Sequence, residues 1–106
     1  MRTLDFIVSG QTLQRDPLCD FGGIAAGSQG YLQARFRFSK EWTGCKKVAV
    51  FFYKGKEYPV GLENNMCMIP WEVLLDSRAV RLYVIGRRPG VQITTNMSAF
   101  PQTVSR

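Results

Sequence analysis

The sequence of 106 residues contains no histidine. Histidine is the usual general base near neutral pH and a frequent metal ligand, so its absence removes Ser-His and Cys-His nucleophile pairs and most transition-metal sites. There are three cysteines, Cys19, Cys45 and Cys67, and no Cys-x-x-Cys pair. An odd number of widely spaced cysteines favours reduced, buried thiols over a disulfide framework or a zinc site.

Long apolar runs and a leader sequence are also missing. No stretch approaches the roughly 20 apolar residues that a membrane-spanning helix needs. The N-terminal segment, MRTLDFIVSG, lacks the long apolar region and the cleavage site of a signal peptide. We therefore expect no membrane association and a protein that folds in a reducing cytosol.

Acidic residues are few, with 8 acidic against 14 basic residues and a net charge of +6. This surplus raises the expectation of an anionic partner, although like charge that keeps a surface soluble is the alternative. Asp16 and Asp20 are close enough in sequence to suggest a carboxylate pair, but turn-forming aspartates explain them better. The glycines of residues 22–30 match neither the P-loop nor the dinucleotide fingerprint. We predict no catalytic residue, no metal, no cofactor and no enzymatic activity.

Residues 31–38 alternate strictly between apolar and polar. Leu32, Ala34 and Phe36 fall on one face, and Arg35 and Arg37 fall on the other. A period of two residues predicts a half-buried β-strand.

Further strands are predicted over residues 4–8, 46–53, 57–62, 79–86 and 91–95, joined by turns rich in Gly, Pro and Asn. The stretch 46–53, KKVAVFFY, is apolar on both faces, which is typical of a central strand covered on both sides. Pro59 makes 57–62 an edge strand. Residues 11–17 form a second strand or a loop, residues 18–30 an ordered loop or a short edge strand, and residues 96–106 a polar tail.

A short helix is predicted over residues 70–75, because Pro70 suits a first helical turn and Glu72 suits the helix dipole. Together these elements predict a single all-β domain over residues 1–106. The expected architecture is a small antiparallel β-sandwich of six to eight short strands, with a small barrel as the alternative.

The candidate interaction surface is basic and aromatic. If the strands at 31–38 and 79–86 are neighbours, then Arg35, Arg37, Arg81 and Tyr83 form one patch for phosphates or carboxylates. Simple exposed strand faces are the alternative. Three further residues complete the candidate surface, namely the doublet Arg87 and Arg88 and the tryptophan Trp71.

The two tryptophans carry different expectations. Trp42, in a polar break between strands, is expected to close the end of the core with its indole N–H bonded to a carbonyl. Trp71 is either an anchor for a partner or a second core residue.

An ordered set of anchors resembles a known family. The motifs are Ala-Gly-Ser-Gln-Gly at 26–30, Phe-Ser-Lys-Glu-Trp-Thr-Gly at 38–44, a Lys-Val-Ala-Val-Phe strand at 47–51, Cys-Met-Ile-Pro-Trp-Glu-Val-Leu at 67–74 and Thr-Thr-Asn at 94–96. Together they resemble small β-sandwich domains of phage and prophage structural proteins, including the N-terminal domain of upper baseplate proteins. The anchors span about two thirds of the chain.

The resemblance implies a non-enzymatic module that docks into a virion tail or baseplate through protein contacts, as a homo-oligomer. No fibre, coiled coil or receptor-binding region accompanies the sandwich in this sequence. The alternative is therefore a phage-encoded accessory protein that inhibits a host defence complex through its basic face. A third hypothesis is direct nucleic-acid binding. The expected location is the virion or the host cytoplasm.

Overall fold

The computed structural model describes residues 1–104 and arranges them in nine β-strands and two short 3₁₀ turns. The strands are β1 Arg2–Ser9, β2 Thr12–Arg15, β3 Leu32–Phe38, β4 Lys46–Tyr53, β5 Lys56–Gly61, β6 Met66–Met68, β7 Val80–Arg88, β8 Val91–Thr94 and β9 Ser98–Phe100. The all-β prediction is confirmed. The strand count exceeds six to eight because short segments such as β2 and β9 also pair. The last two residues of the expected domain lie outside the described part.

Four strands form one sheet in the order β2-β1-β3-β6. Strand β1 runs parallel to β3, with Phe6 opposite Phe36, whereas β2 and β6 pair antiparallel. One pairing therefore differs from the expected antiparallel arrangement. The reason is the long connection of residues 16–31, which crosses the start of β1 and lets β3 run in the same direction, as parallel neighbours require.

That connection is an ordered loop, one of the two forms predicted for it. Phe21 and Ile24 are buried in the core. The Arg2 guanidinium donates hydrogen bonds to the carbonyl oxygens of Asp20, at 3.0 Å, and Gly22, at 2.6 Å. The loop is therefore fastened to the first strand at its backbone.

The other sheet has five strands. Four of them follow the order β5-β4-β7-β8, and β9 lies on the same side of β7 as β8, where it pairs with the first part of β7. All of its pairs are antiparallel. Strand β5 lies at the edge, as Pro59 predicts, because proline cannot donate a backbone hydrogen bond to a neighbour.

The inner faces of the two sheets enclose one core. Phe6 stacks on Phe36 at 5.3 Å between ring centroids, and Leu82 and Val84 face them from β7 with no measurable exposure. The alternation predicted for residues 31–38 and 79–86 is confirmed, since the apolar face of each strand is the buried one.

Strand β4 is central in its sheet, as predicted, but only one of its faces meets the core. Ala49 and Phe51 are fully buried on the inner side. Val48, Val50 and Phe52 lie on the outer side, which no further layer of the described residues covers. The prediction that both faces are covered is therefore wrong, and the apolar outer face requires another explanation.

The helical content of the described chain is limited to two 3₁₀ turns. The helix expected over residues 70–75 is the single turn Trp71–Leu74, and a second turn, Lys40–Trp42, occupies the polar break. Segments of three or four residues are too short to nucleate an α-helix, and 3₁₀ geometry suits them. Within residues 1–104, no helix has the length and apolar character needed to cross a membrane.

Trp42 closes one end of the core, as predicted. Its side chain is fully buried, and its indole N–H donates to the carbonyl oxygen of Gly10 at 2.8 Å. The adjacent Ser39 hydroxyl accepts the Gly10 backbone N–H at 3.0 Å. Gly86 of β7 lies directly against the indole, since a Cβ there would stand 2.6 Å from its six-membered ring.

The dipeptide Thr95-Asn96 joins the two sheets. The Thr95 hydroxyl accepts the backbone N–H of Val84 at 3.0 Å, on the five-stranded sheet. The Asn96 side chain accepts the Leu13 N–H at 2.7 Å and donates to the Leu13 carbonyl at 3.2 Å, on the four-stranded sheet. This pair of residues thus holds β2 in place against its neighbour sheet.

Candidate interaction surface

The outer face of the five-stranded sheet carries an apolar strip. Neighbouring strands bring Val50 opposite both Tyr83 and Pro59, and Val48 opposite Ile85. Phe52 extends the strip at one end, its ring 5.6 Å from that of Tyr83. We call the depression along this strip the outer groove. Its volume is about 530 Å³, and its floor is mainly aliphatic.

Basic residues stand at the ends of the outer groove. Lys46 and Arg87 are directly opposite each other on β4 and β7, and both are exposed. Arg81 lies at the other end, with its guanidinium 6.0 Å from the Phe52 ring centroid. Glu57 is the one acidic residue among those that line the groove.

None of these three cations has an acidic partner in the described chain. The ion pairs found within residues 1–104 join Arg35 to Asp5, Arg37 to Asp16 and Arg78 to Asp76. Like charges directly opposite on antiparallel strands repel each other. The Lys46–Arg87 pair therefore leaves positive charge at the end of an apolar depression.

Arg88 lies next to Arg87 in sequence but has a structural role. Its guanidinium donates to the carbonyl oxygen of Glu41 at 2.6 Å and to the Cys45 sulfur at 3.3 Å. The first contact fixes the Lys40–Trp42 turn to the end of β7, and the second holds the residue just before β4. Of the predicted doublet, only Arg87 presents a free guanidinium to the groove.

Arg35 and Arg37 occupy the outer face of the opposite sheet. Because Asp5 is opposite Arg35 in the parallel β1–β3 pairing, the two form a bidentate contact of 2.7 and 3.2 Å. The hydrogen bond that Arg35 donates to the Asp5 carboxylate raises the pKa of the Arg35 guanidinium above its ordinary value. Arg37 lies 3.7 Å from Asp16. Arg35 is thus engaged by a carboxylate of its own sheet, whereas Arg37 is 71% exposed and only within ion-pair distance of a loop carboxylate.

The single patch of Arg35, Arg37, Arg81 and Tyr83 does not form. It required β3 and β7 to be neighbours, and they belong to different sheets, with these side chains on opposite faces of the sandwich. The part of the hypothesis that survives is Arg81 with Tyr83 on one strand face, extended by Arg87.

Trp71 is exposed over 45% of its surface and lies in the second 3₁₀ turn, away from the residues that line the outer groove. The following Val73 and Leu74 are buried, so the turn itself is anchored in the core. Trp71 is therefore not a core residue, and it belongs to a separate part of the surface.

The acidic and thiol groups offer no reactive cluster. Asp16 and Asp20 accept the backbone N–H groups of Leu18, at 2.9 Å, and Gly22, at 2.7 Å, which confirms them as turn formers. Burial raises the pKa of the Cys67 thiol to about 12. Within the described residues, no three Cys, His, Asp or Glu side chains come together as metal ligands.

Sequence analysis did not identify the aliphatic floor of the groove or Lys46 as site residues. The signal was present in the KKVAVFFY stretch, whose second face is as apolar as its first. The pattern predicts a further layer over that second face, which the described part of the structure does not contain.

No protein-family model matches the chain, and the comparisons with curated proteins and with solved structures find no significant match.

Proposed function

We propose that this protein is a non-enzymatic protein–protein interaction module of phage or prophage type, acting as a small component of a virion tail or baseplate. The observation that carries the proposal is the apolar outer face of the five-stranded sheet. Contiguous apolar surface of this kind, flanked by polar residues, is typical of a protein-docking site.

The anchors of the family resemblance support the scaffold half of this proposal. Ser39 and Trp42 both bond Gly10, and Thr95 and Asn96 join the two sheets. These residues act in holding the sandwich together and do not line the outer groove. The anchor strand 47–51 has both roles, since it buries Ala49 and Phe51 in the core and presents Val48 and Val50 to the groove.

The hydrophobicity of the groove favours a protein partner over a small polar ligand. Val50 is only 5% exposed although it lies on the outer face, because Pro59 and Tyr83 flank it on either side. The exposed aliphatic surface of the groove is that of the half-buried Val48 and Ile85. An apolar side chain packed on them would release water from both partners, which is the main driving force of association.

Self-association is part of the proposal and concerns the sheet edges. Strand β5 carries Lys56, Glu57 and Pro59, residue types that oppose strand addition at an edge. Strand β6, Met66–Met68, is an uncharged edge of the four-stranded sheet. Met66 is already bridged to Glu63 through both of its backbone groups, so a second copy would pair with this edge at Met68. Light scattering measures the oligomeric state directly, and a strict monomer at all concentrations would remove this part.

The experiment for the main proposal uses tail or baseplate particles from the phage or prophage whose genome encodes the chain. Wild-type protein is expected to be present in purified particles by mass spectrometry and to rebind particles that lack it. Val48→Glu combined with Ile85→Glu places two carboxylates in the groove and should reduce rebinding at least tenfold.

Leu18→Glu is the matched control, because Leu18 is 93% exposed in the connecting loop and lies away from the groove. It should rebind as the wild type does. Absence of the protein from particles, or rebinding by the groove variant at wild-type strength, would overturn the proposal.

The two alternative functions are inhibition of a host defence complex and direct nucleic-acid binding, and both need a basic surface. With Arg35 engaged by Asp5 and Arg37 within ion-pair distance of Asp16, their support is reduced to Lys46, Arg81 and Arg87. Direct nucleic-acid binding predicts retention on DNA or RNA that weakens steeply as salt is added. A complex whose affinity does not change with salt would count against it.

A further inference from the structure

The outer groove is basic at the end formed by Lys46 and Arg87 and apolar along its floor. Lys46 and Arg87 form a cross-strand pair at one end, and the aliphatic pair Val48 and Ile85 is the next step along the same face. Residues two apart on a strand are separated by about 7 Å. A positive site and an apolar site therefore follow each other at this spacing.

The apolar part continues for one more step. Val50 and Tyr83 form the following cross-strand pair, and Pro59 of β5 borders them on the far side. The groove thus offers one cationic position and then two apolar positions, each separated by about 7 Å. Side chains at alternate positions of an extended polypeptide have the same spacing.

The cationic position is suited to a carboxylate. Lys46 and Arg87 repel each other and have no acidic partner among the described residues. An anion bound between them would make favourable contacts with both and offset their mutual repulsion. Glu57 borders the apolar part of the groove, opposite Phe52 on the neighbouring strand, and is not paired in the sheet with either cation.

Charge complementarity argues against two other occupants. A second copy of this face would bring Lys46, Arg81 and Arg87 against the same cations. A nucleic acid would satisfy the charge, but the floor next to the Lys46–Arg87 pair is the aliphatic pair Val48 and Ile85. The aromatic rings on which bases would stack, Tyr83 and Phe52, lie one and two steps further along. An acidic polypeptide fits both the charge and the floor.

We infer that the outer groove binds an extended acidic segment of a partner protein, with a carboxylate side chain between Lys46 and Arg87 and apolar side chains at the second and fourth positions after it. This inference rests on the proposed function as a protein-docking module and names the chemistry of the docked segment.

The test uses short fluorescent peptides and fluorescence anisotropy. The first peptide contains glutamate followed by leucines at the second and fourth positions after it. The second replaces that glutamate with lysine, and the third replaces both leucines with serine. Wild-type protein is expected to bind the first peptide at least tenfold more tightly than the other two.

The decisive comparison reverses the charge of the two cations that are expected to bind the carboxylate. Lys46→Glu combined with Arg87→Glu should lose at least tenfold in affinity for the glutamate peptide and gain affinity for the lysine peptide. The control is Lys54→Glu, at the opposite end of β4 in an exposed turn, which should leave both affinities unchanged. Circular dichroism confirms that each variant is folded.

Three results would overturn the inference: equal affinity for the glutamate and lysine peptides, no binding of the glutamate peptide up to about 1 mM, or tighter binding of a single-stranded oligonucleotide that the exchange variant loses. Each of them leaves the particle-rebinding result intact. Failure of Val48→Glu with Ile85→Glu to disturb rebinding would instead refute the proposed function.

Discussion

The contact between Gly86 and Trp42 allows a quantitative prediction for the substitution Gly86→Ala. A Cβ at position 86 would lie 2.6 Å from Cε3 and Cζ3 of the Trp42 ring and 3.2 Å from Cβ of Cys45. The indole cannot simply withdraw, because it is fully buried and its N–H is bonded to Gly10 at 2.8 Å. Either the strand or the ring must move.

The expected cost is the sum of opposing contributions. Overpacking a well-packed core by one methyl group destabilises a protein by about 1–3 kcal/mol, and loss of the indole hydrogen bond adds about 1 kcal/mol. Gly86 does not have a positive φ, so alanine also reduces the entropy of the unfolded chain and recovers about 0.5 kcal/mol. We expect a net loss of about 1.5–3.5 kcal/mol in the free energy of unfolding, from the same three sources.

Urea denaturation followed by fluorescence measures this loss. A Trp71→Phe background leaves Trp42 as the one tryptophan, so that the signal reports the packed ring. Gly61→Ala is the matched control, because Gly61 also lies in a strand of the five-stranded sheet without a positive φ, and a Cβ there meets nothing within 4 Å. It should be neutral or slightly stabilising.

A double-mutant cycle with Trp42→Leu tests the assigned cause, and its four proteins are followed by circular dichroism in urea because Trp42→Leu removes the fluorescent reporter. If the methyl group destabilises by striking the indole, then Gly86→Ala should cost at least about 1 kcal/mol less once the indole is gone. Equal stability of Gly86→Ala and the wild type would refute the reasoning. So would an equal cost in the presence and absence of the indole.

The remaining predictions concern a turn, a thiol and the pH dependence. Lys54 has a φ of 50°, so Lys54→Gly should raise the free energy of unfolding by about 0.5–1 kcal/mol; a less stable variant in urea would contradict this. Cys67 should react with a thiol reagent only after unfolding, since burial raises its pKa to about 12, and rapid labelling of the native protein would disprove it. Hydrogen bonds from Ser39 and from the Arg78 backbone N–H lower the pKa values of Glu41 and Asp76. Such groups contribute stability above their unfolded pKa values and lose it as the pH falls through the folded ones. The melting temperature should therefore fall as the pH drops below the ordinary values of 4.5 and 3.8, and a melting temperature that rises on acidification would contradict the assignment.

Local alternation was enough to predict the strands and their faces. Leu32, Ala34 and Phe36 are buried while Arg35 and Arg37 are exposed, because period-two patterning reports which face meets the core whatever the neighbouring strand is. The role of Trp42 was also predictable, since a buried indole needs an acceptor for its N–H.

Strand neighbours could not be predicted in the same way. Whether Arg35 meets Asp5 or Arg81 depends on which strands pair, and that depends on the path of residues 16–31. The local pattern of β3 is the same in either arrangement. The parallel β1–β3 pairing converts a predicted anion-binding arginine into half of an ion pair.

The apolar outer face shows a different limit of sequence interpretation. The apolar pattern on both faces of β4 indicates that both faces are covered, but it does not indicate whether the outer face is covered by this chain or by a partner. In the described chain the inner face of β4 is covered by the opposite sheet, and the outer face carries Val48 and Val50 into the groove. A partner supplies the missing layer in the function that we propose.

The contact between Gly86 and the core lies next to the two like charges, Lys46 and Arg87, at the end of the groove. Gly86 pairs with Lys47 in the sheet, one position before the Lys46–Arg87 pair. On the other side of Arg87, Arg88 is bonded to Glu41 in the Lys40–Trp42 turn. Arg87 is thus held between two fixed neighbours and cannot relieve its repulsion with Lys46 by fraying of the strand. Because the pairing of the backbone keeps Lys46 opposite Arg87, an anionic partner group meets both cations together, which it would not do at a mobile strand end.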